Sequence, residues 1–193
     1  MTKSALITSI ALSIAPMAVA QQPSLSNFSG IEKFTGQDAT PNKIDNIQFM
    51  ADGNFYLSLS ADGTKVVKYD TKSGKELETI FDVSRTRETE LESIEGFIMS
   101  EDGTKLLVWT DKKDQYRHSF SAKHYFYELR SRLLKPLSTD HEYQQAPVIS
   151  PDGRMIAFMA DNNIFIKKLD YGTEVAVTSD GELNKVINGV PDW

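Results

Sequence analysis

No cysteine occurs in the 193 residues. No disulfide can therefore brace the fold, and no thiolate can act as a nucleophile or soft metal ligand. Three histidines, His118, His124 and His141, are scattered along the chain. Without cysteine beside them they make a poor metal set, and neither a metal nor a cofactor is expected. Positive charge is also in short supply, with 21 Lys+Arg against 27 Asp+Glu and a net charge of -6. No basic cluster stands out, which argues against a nucleic-acid partner. None of the 11 glycines lies four residues from another. The Gly-x-Ser-x-Gly elbow of a serine hydrolase is therefore missing from this sequence. After residue 20 no apolar run is long enough to span a membrane.

The first 20 residues read as a secretory signal peptide. Lys3 supplies the positive start, Ala5 to Val19 is largely apolar, and Ala18-Val19-Ala20 fits the small-x-small cleavage rule. Gln21 becomes the expected N-terminus. As a membrane anchor the run is too short, and Pro16 interrupts it. The protein is thus expected to be exported, to a periplasm or to the outside. A cysteine-free exported chain suits a bacterial envelope protein better than a small eukaryotic secreted domain. About 170 residues remain, enough for one domain with a core.

One pattern then returns three times. Asp52-Gly53, Asp102-Gly103 and Asp152-Gly153 each separate two apolar runs, at a period of 50 residues. Glycine is expected at the positive-φ position of a tight hairpin, and aspartate tolerates the one before it. Further short strands follow in each unit. The first continues through Asp62-Gly63 and a Thr71-Lys72-Ser73-Gly74 turn, the third through Asp161-Asn162-Asn163 and Asp170-Tyr171-Gly172. Four short strands every 40 to 50 residues is the signature of a β-propeller blade. A plain β-sandwich is the competing reading, and the regular spacing favours blades.

The expected fold is all-β: an incomplete propeller of about three blades and the start of another. The expected boundaries are a signal peptide over 1–20, a lead-in segment over 21–43 and a partial propeller over 44–193. The last residues, Asn188 to Trp193, read as the start of a strand. Three blades do not close a ring, and an open arc leaves strand edges uncovered. These features together predict a piece of a larger protein. The mixed-charge stretch Arg85 to Glu92 reads as a solvated connector with no site.

The units differ in one place. Between the second and third strands of the second unit, Asp111 to Ser121 reads as a long loop that mixes charges with aromatics. Insertions in repeat proteins gather on one face and often bind ligands. Arg117 stands between Tyr116 and His118. A guanidinium held among rings can present a fork of donors to a carbonyl or carboxylate. Pairing with a carboxylate of its own blade, or plain solvation, fits the spacing better.

Gln115-Tyr116-Arg117-His118-Ser119-Phe120, followed by His124-Tyr125-Phe126-Tyr127, resembles the propeller of the dipeptidyl peptidase IV family of serine exopeptidases, which are of the prolyl oligopeptidase type. Ala146 to Gly153, Asn163 to Lys167 and the ending Asn188-Gly189-Val190-Pro191-Asp192-Trp193 are similar to it as well, in the family's order. The resemblance implies an eight-bladed propeller followed by an α/β-hydrolase domain. It implies release of N-terminal dipeptides whose second residue is proline or alanine. It implies that Arg117 matches the arginine that holds the substrate backbone. The family's paired glutamates, which bind the substrate's α-amino group, follow Asp-Trp and are not in this sequence. No catalytic residue is assigned here. His118 is expected to support the loop, and His124 and His141 to face solvent. The partner of the complete protein would be a peptide, and the family allows a homodimer of that protein. The competing function is a non-catalytic propeller that binds a protein or glycan.

Overall fold

The computed structural model describes residues 46–116 and 118–190, with the backbone alone at Tyr116. The expected signal peptide and lead-in, Arg117 and the residues after Val190 lie outside the described residues. Within them the chain is strand and turn, with one 3-10 turn at Val83–Arg85. No helix among the described residues is long and apolar enough to cross a membrane.

The strands fall into blades. Blade 1 is the antiparallel meander β1 (Ile47–Phe49), β2 (Phe55–Leu59), β3 (Lys65–Asp70) and β4 (Glu76–Asp82). The connector contributes β5 (Arg87–Glu88). Blade 2 contains β6 (Gly96–Met99), β7 (Lys105–Tyr116), β8 (Ser119–Glu128) and β9 (Leu133–Pro136). Blade 3 contains β10 (Gln144–Ile149), β11 (Met155–Ala160), β12 (Asn163–Lys168) and β13 (Thr173–Ala176). The connector is therefore more than solvated chain. Its β5 pairs in parallel with β9, Arg87 opposite Leu133 and Glu88 opposite Leu134.

The turns at 52, 102 and 152 all join the first strand of a blade to the second, as the period predicts. Their chemistry differs from the sequence reading in one respect. Only the glycine is left-handed, with φ +67 at Gly103, and Asp102 is not. The aspartate works as an acceptor. Asp102 Oδ1 accepts from Thr104 N–H at 3.1 Å and from Ser100 Oγ at 2.6 Å. Asp62 repeats the arrangement with Ser60 and Thr64, and these bonds, the Ser60 hydroxyl first, hold its carboxyl down at about 2. A carboxylate that accepts several local donors is stabilised in its charged form. At Gly153 the glycine serves a second need, since a Cβ there would sit 2.6 Å from the Asp102 carboxyl of the neighbouring blade.

Apolar side chains fill the spaces between blades. Leu57, Val66 and Phe81 of blade 1 meet Phe97, Met99, Leu106, Val108, Tyr127 and Leu134 of blade 2, with Ile94 between them. On the other side Leu107, Phe126 and Leu137 meet Ile156, Phe158 and Ala160. Successive strand residues point to opposite faces. Leu106, Leu107 and Val108 are thus all fully buried, because β7 has a core on each side. Gln48 stitches blade 1 to blade 2: its Nε2 donates to the Met99 carbonyl at 3.1 Å, and its Oε1 accepts from Met99 N–H at 2.6 Å.

Candidate functional site

The stretch expected as a long loop is a β-ribbon. β7 continues to Tyr116 and β8 begins at Ser119, so the hairpin projects beyond its blade. Asp111 to Gln115 are exposed and mostly charged, so no period-2 apolar signal marks them as strand. Backbone pairing continues regardless, with Lys113 opposite Ser121 and Asp114 opposite Phe120. The register shifts between Thr110 and Lys113, where Asp111 has φ +53. Such a bulge bends a ribbon and re-aims what lies beyond it.

Blade 3 grips the base of the ribbon. Gln144 and Gln145 of β10 pair with Ala122 and Ser121 of β8, so blades 2 and 3 share one sheet. The Tyr143 hydroxyl donates to Asp111 Oδ2. Lys123 Nζ lies 3.3 Å from Asp111 Oδ2 and 2.7 Å from Glu142 Oε1. The Tyr143 hydroxyl and Lys123 hold the Asp111 carboxyl below the usual carboxylate range, and the same ion pairs push Lys123 upward. Lys113 Nζ stands 3.4 Å from the centre of the Tyr143 ring, and Lys112 Nζ 5.0 Å from that of Phe120. Both are within cation–π range.

The tip of the ribbon overlooks a depression of about 210 Å³. Gln115, His118, Ser119 and Phe120 line it from the hairpin, Gln145 and Ala146 from β10, and Gly189 and Val190 from the far segment. The structure therefore brings together the flanks of Arg117 and the start of the Asn-Gly-Val-Pro-Asp-Trp stretch. A second hollow of about 380 Å³ adjoins it, sharing Gln145 and Val190 and reaching Tyr143, Asp161 and Leu183.

Local contacts seat the far segment. Asn188 N–H donates to the Asn162 carbonyl at 3.0 Å, and its side chain donates to Asp180 Oδ1 at 3.0 Å. Asp161 and Asn162 both take positive φ, the two-residue hairpin that joins β11 to β12. Gly189 must be glycine here. Its φ is +84, and a Cβ would lie 2.8 Å from Met159 Cγ and 3.0 Å from Ile164 Cγ1.

The histidines part ways. His118 is exposed and lines the depression. His124, expected at the surface, is only 2% exposed, because both faces of β8 are covered. Its Nδ1 lies 3.1 Å from the Ala122 carbonyl, while Nε2 is buried without a hydrogen-bond partner among the described residues. Burial pushes its imidazole down to about 4, which the Gln144 side chain and the Ala122 carbonyl offset only in part. Trp109 and Phe120 pack at 5.9 and 6.2 Å from its ring. Gly96 leaves the space for Trp109, since a Cβ there would meet the indole at 2.1 Å. His141 is not a solvated turn residue either. It packs at 4.3 Å on Phe165, with Asp161 Oδ2 2.9 Å from Nδ1. Sequence reasoning also missed Tyr143, Gln145 and Lys123. Tyr143 and Gln145 reach the hairpin from the next blade, and Lys123 bridges its two strands, contacts that no local motif announces.

Three comparisons bear on this arrangement. Residues 100–193 match the model of the dipeptidyl peptidase IV (DPP IV) N-terminal region. A probable dipeptidyl-aminopeptidase B of Sclerotinia sclerotiorum is 38% identical over 97 residues, which are 49% of this chain and 10% of that protein. A probable dipeptidyl-aminopeptidase B of Neurospora crassa is 36% identical over 99 residues, 50% of this chain and 10% of the relative. The chain thus spans about a tenth of the length of these relatives. Among solved structures, Porphyromonas gingivalis dipeptidyl peptidase 4 matches with a TM-score of 0.74 and 44% identity, over 77% of this chain and 21% of that one. Blades, ribbon and sequence agree: residues 100–193 match the N-terminal region of the dipeptidyl peptidase IV family, and the chain is similar to a propeller segment of that family.

Proposed function

We propose that this segment serves an exported serine dipeptidyl peptidase that releases X-Pro and X-Ala dipeptides from peptide N-termini. The chemistry would be acyl transfer by a Ser-His-Asp triad with an oxyanion hole, supplied by a hydrolase domain outside this sequence. The propeller segment would hold the peptide. Arg117 is assigned the backbone of the bound dipeptide, through charge-assisted hydrogen bonds. One observation carries the reading: the residues flanking Arg117 and the Gly189-Val190 segment line a single depression. The signal-like first 20 residues support export.

Arg117→Ala in the complete protein is the test. One lost charge-assisted bond is worth about 1.5–3 kcal/mol, so kcat/KM on an X-Pro substrate should fall roughly ten- to a hundredfold. Thermal unfolding should be unchanged. Unaltered kinetics would remove Arg117 from the site. Tight binding of a protein or glycan with no turnover of any dipeptide substrate would favour a pure binding module.

A further inference from the structure

We propose that Tyr143 is a positioning residue, which clasps the bend in the β7–β8 stem and so fixes where the tip stands over the depression. The inference rests on the reading of that tip as the peptide contact.

A ribbon with solvent on both faces is held by its own ladder and can pivot at a bulge. Here the bulge lies at Asp111, and the clasp lies on the same residue. Tyr143 comes from blade 3, one residue before β10. Its hydroxyl takes the Asp111 carboxylate on one stem strand, and its ring takes the Lys113 ammonium 3.4 Å from its centre. Lys123, on the other stem strand, joins Asp111 to Glu142 at 3.3 and 2.7 Å. Both strands of the stem are therefore tied to two adjacent side chains of the next blade. Tyr143 lines the adjoining hollow and not the depression under the tip, so its effect on that depression is assigned to the hairpin. Small misplacements of a contact group, about 1 Å, can reduce turnover by about a hundredfold.

Two variants separate its parts. Tyr143→Leu removes hydroxyl and ring, while Tyr143→Phe keeps the ring under Lys113 and loses the hydroxyl. Amide hydrogen exchange is read over residues 111–121, with residues 155–168 as the internal reference. Kinetics on an X-Pro substrate are read in the complete protein, with and without Arg117→Ala. Tyr143→Leu should speed exchange over 111–121 by about tenfold and leave the reference unchanged. It should lower kcat/KM by about tenfold, with Tyr143→Phe in between, and add nothing on the Arg117→Ala background. Unchanged exchange over 111–121 would overturn the clasp. Faster exchange with unchanged kcat/KM, or an effect that adds fully to that of Arg117→Ala, would overturn the positioning role. Failure of the peptidase reading looks different, because Arg117→Ala would then itself be silent while the exchange still judges the clasp.

Discussion

Phe81→Ala is expected to lower the unfolding free energy by about 3–5 kcal/mol. Phe81 ends blade 1, is 1% exposed, and meets Tyr127 of blade 2 edge-on, with ring centres 5.0 Å apart at 88°. An edge-to-face pair adds about 0.5–1.5 kcal/mol to the burial itself. Truncation also leaves a void that Val66, Leu106 and Leu134 cannot all relax to fill. Phe81→Leu keeps most of the volume and should cost well under half as much. Urea unfolding of the three proteins measures both steps. A loss below about 1 kcal/mol for the alanine variant would mean that the seam is not organised around this ring.

The second large effect is on pH dependence. His124 titrates at about 4 in the fold, against 6.5 for a free imidazole, because burial disfavours its cation. The sign follows from proton binding. Between those values the unfolded chain binds a proton that the folded one refuses, so stability falls as pH falls. The loss begins near pH 6.5 and is complete below about pH 4, where it reaches roughly 3 kcal/mol. By pH 5 about 2 kcal/mol should already be gone relative to pH 7.5. The depressed turn carboxylates, Asp62 and Asp102, act at lower pH, since their stabilisation is lost only as they protonate. His124→Phe should flatten the window between pH 5 and pH 7.5. Equal slopes for both proteins in urea titrations would place the imidazole in contact with water.

How much of this was legible in the sequence depends on distance along the chain. The Asp-Gly turns are local. Their glycine conformation and their aspartate acceptor involve residues within five positions, and the period of 50 follows from them. The burial of His124 is not local. A polar residue in a strand reads as half-exposed unless a neighbouring blade covers its second face, as β10 and Gln144 do here. The ribbon reads as a loop in the sequence for a related reason. Charged residues on both faces erase the alternation by which strands are recognised, although backbone pairing needs no apolar side chain. The connector's β5 was hidden too, since two residues added in parallel to β9 carry no pattern of their own. For the candidate site, the sequence pointed to the Arg117 loop and to the Asn188 segment separately. Their meeting in one depression could be seen only once the blades were stacked.

The two seams of this arc differ in kind. Blades 2 and 3 are joined by strand pairing between β8 and β10 as well as by packing. Blade 1 meets blade 2 through side chains, through Gln48 and through a bond from Ile94 N–H to the Gly63 carbonyl. Rotating side chains and one broken backbone bond can let water into the first seam, whereas the second opens only if a ladder is unzipped. Blades 2 and 3 should thus stand or fall as one cooperative unit, with blade 1 as a separable leaf. The ribbon is built wholly from the more tenacious pair, and its depression from that pair and the Gly189-Val190 segment that follows it.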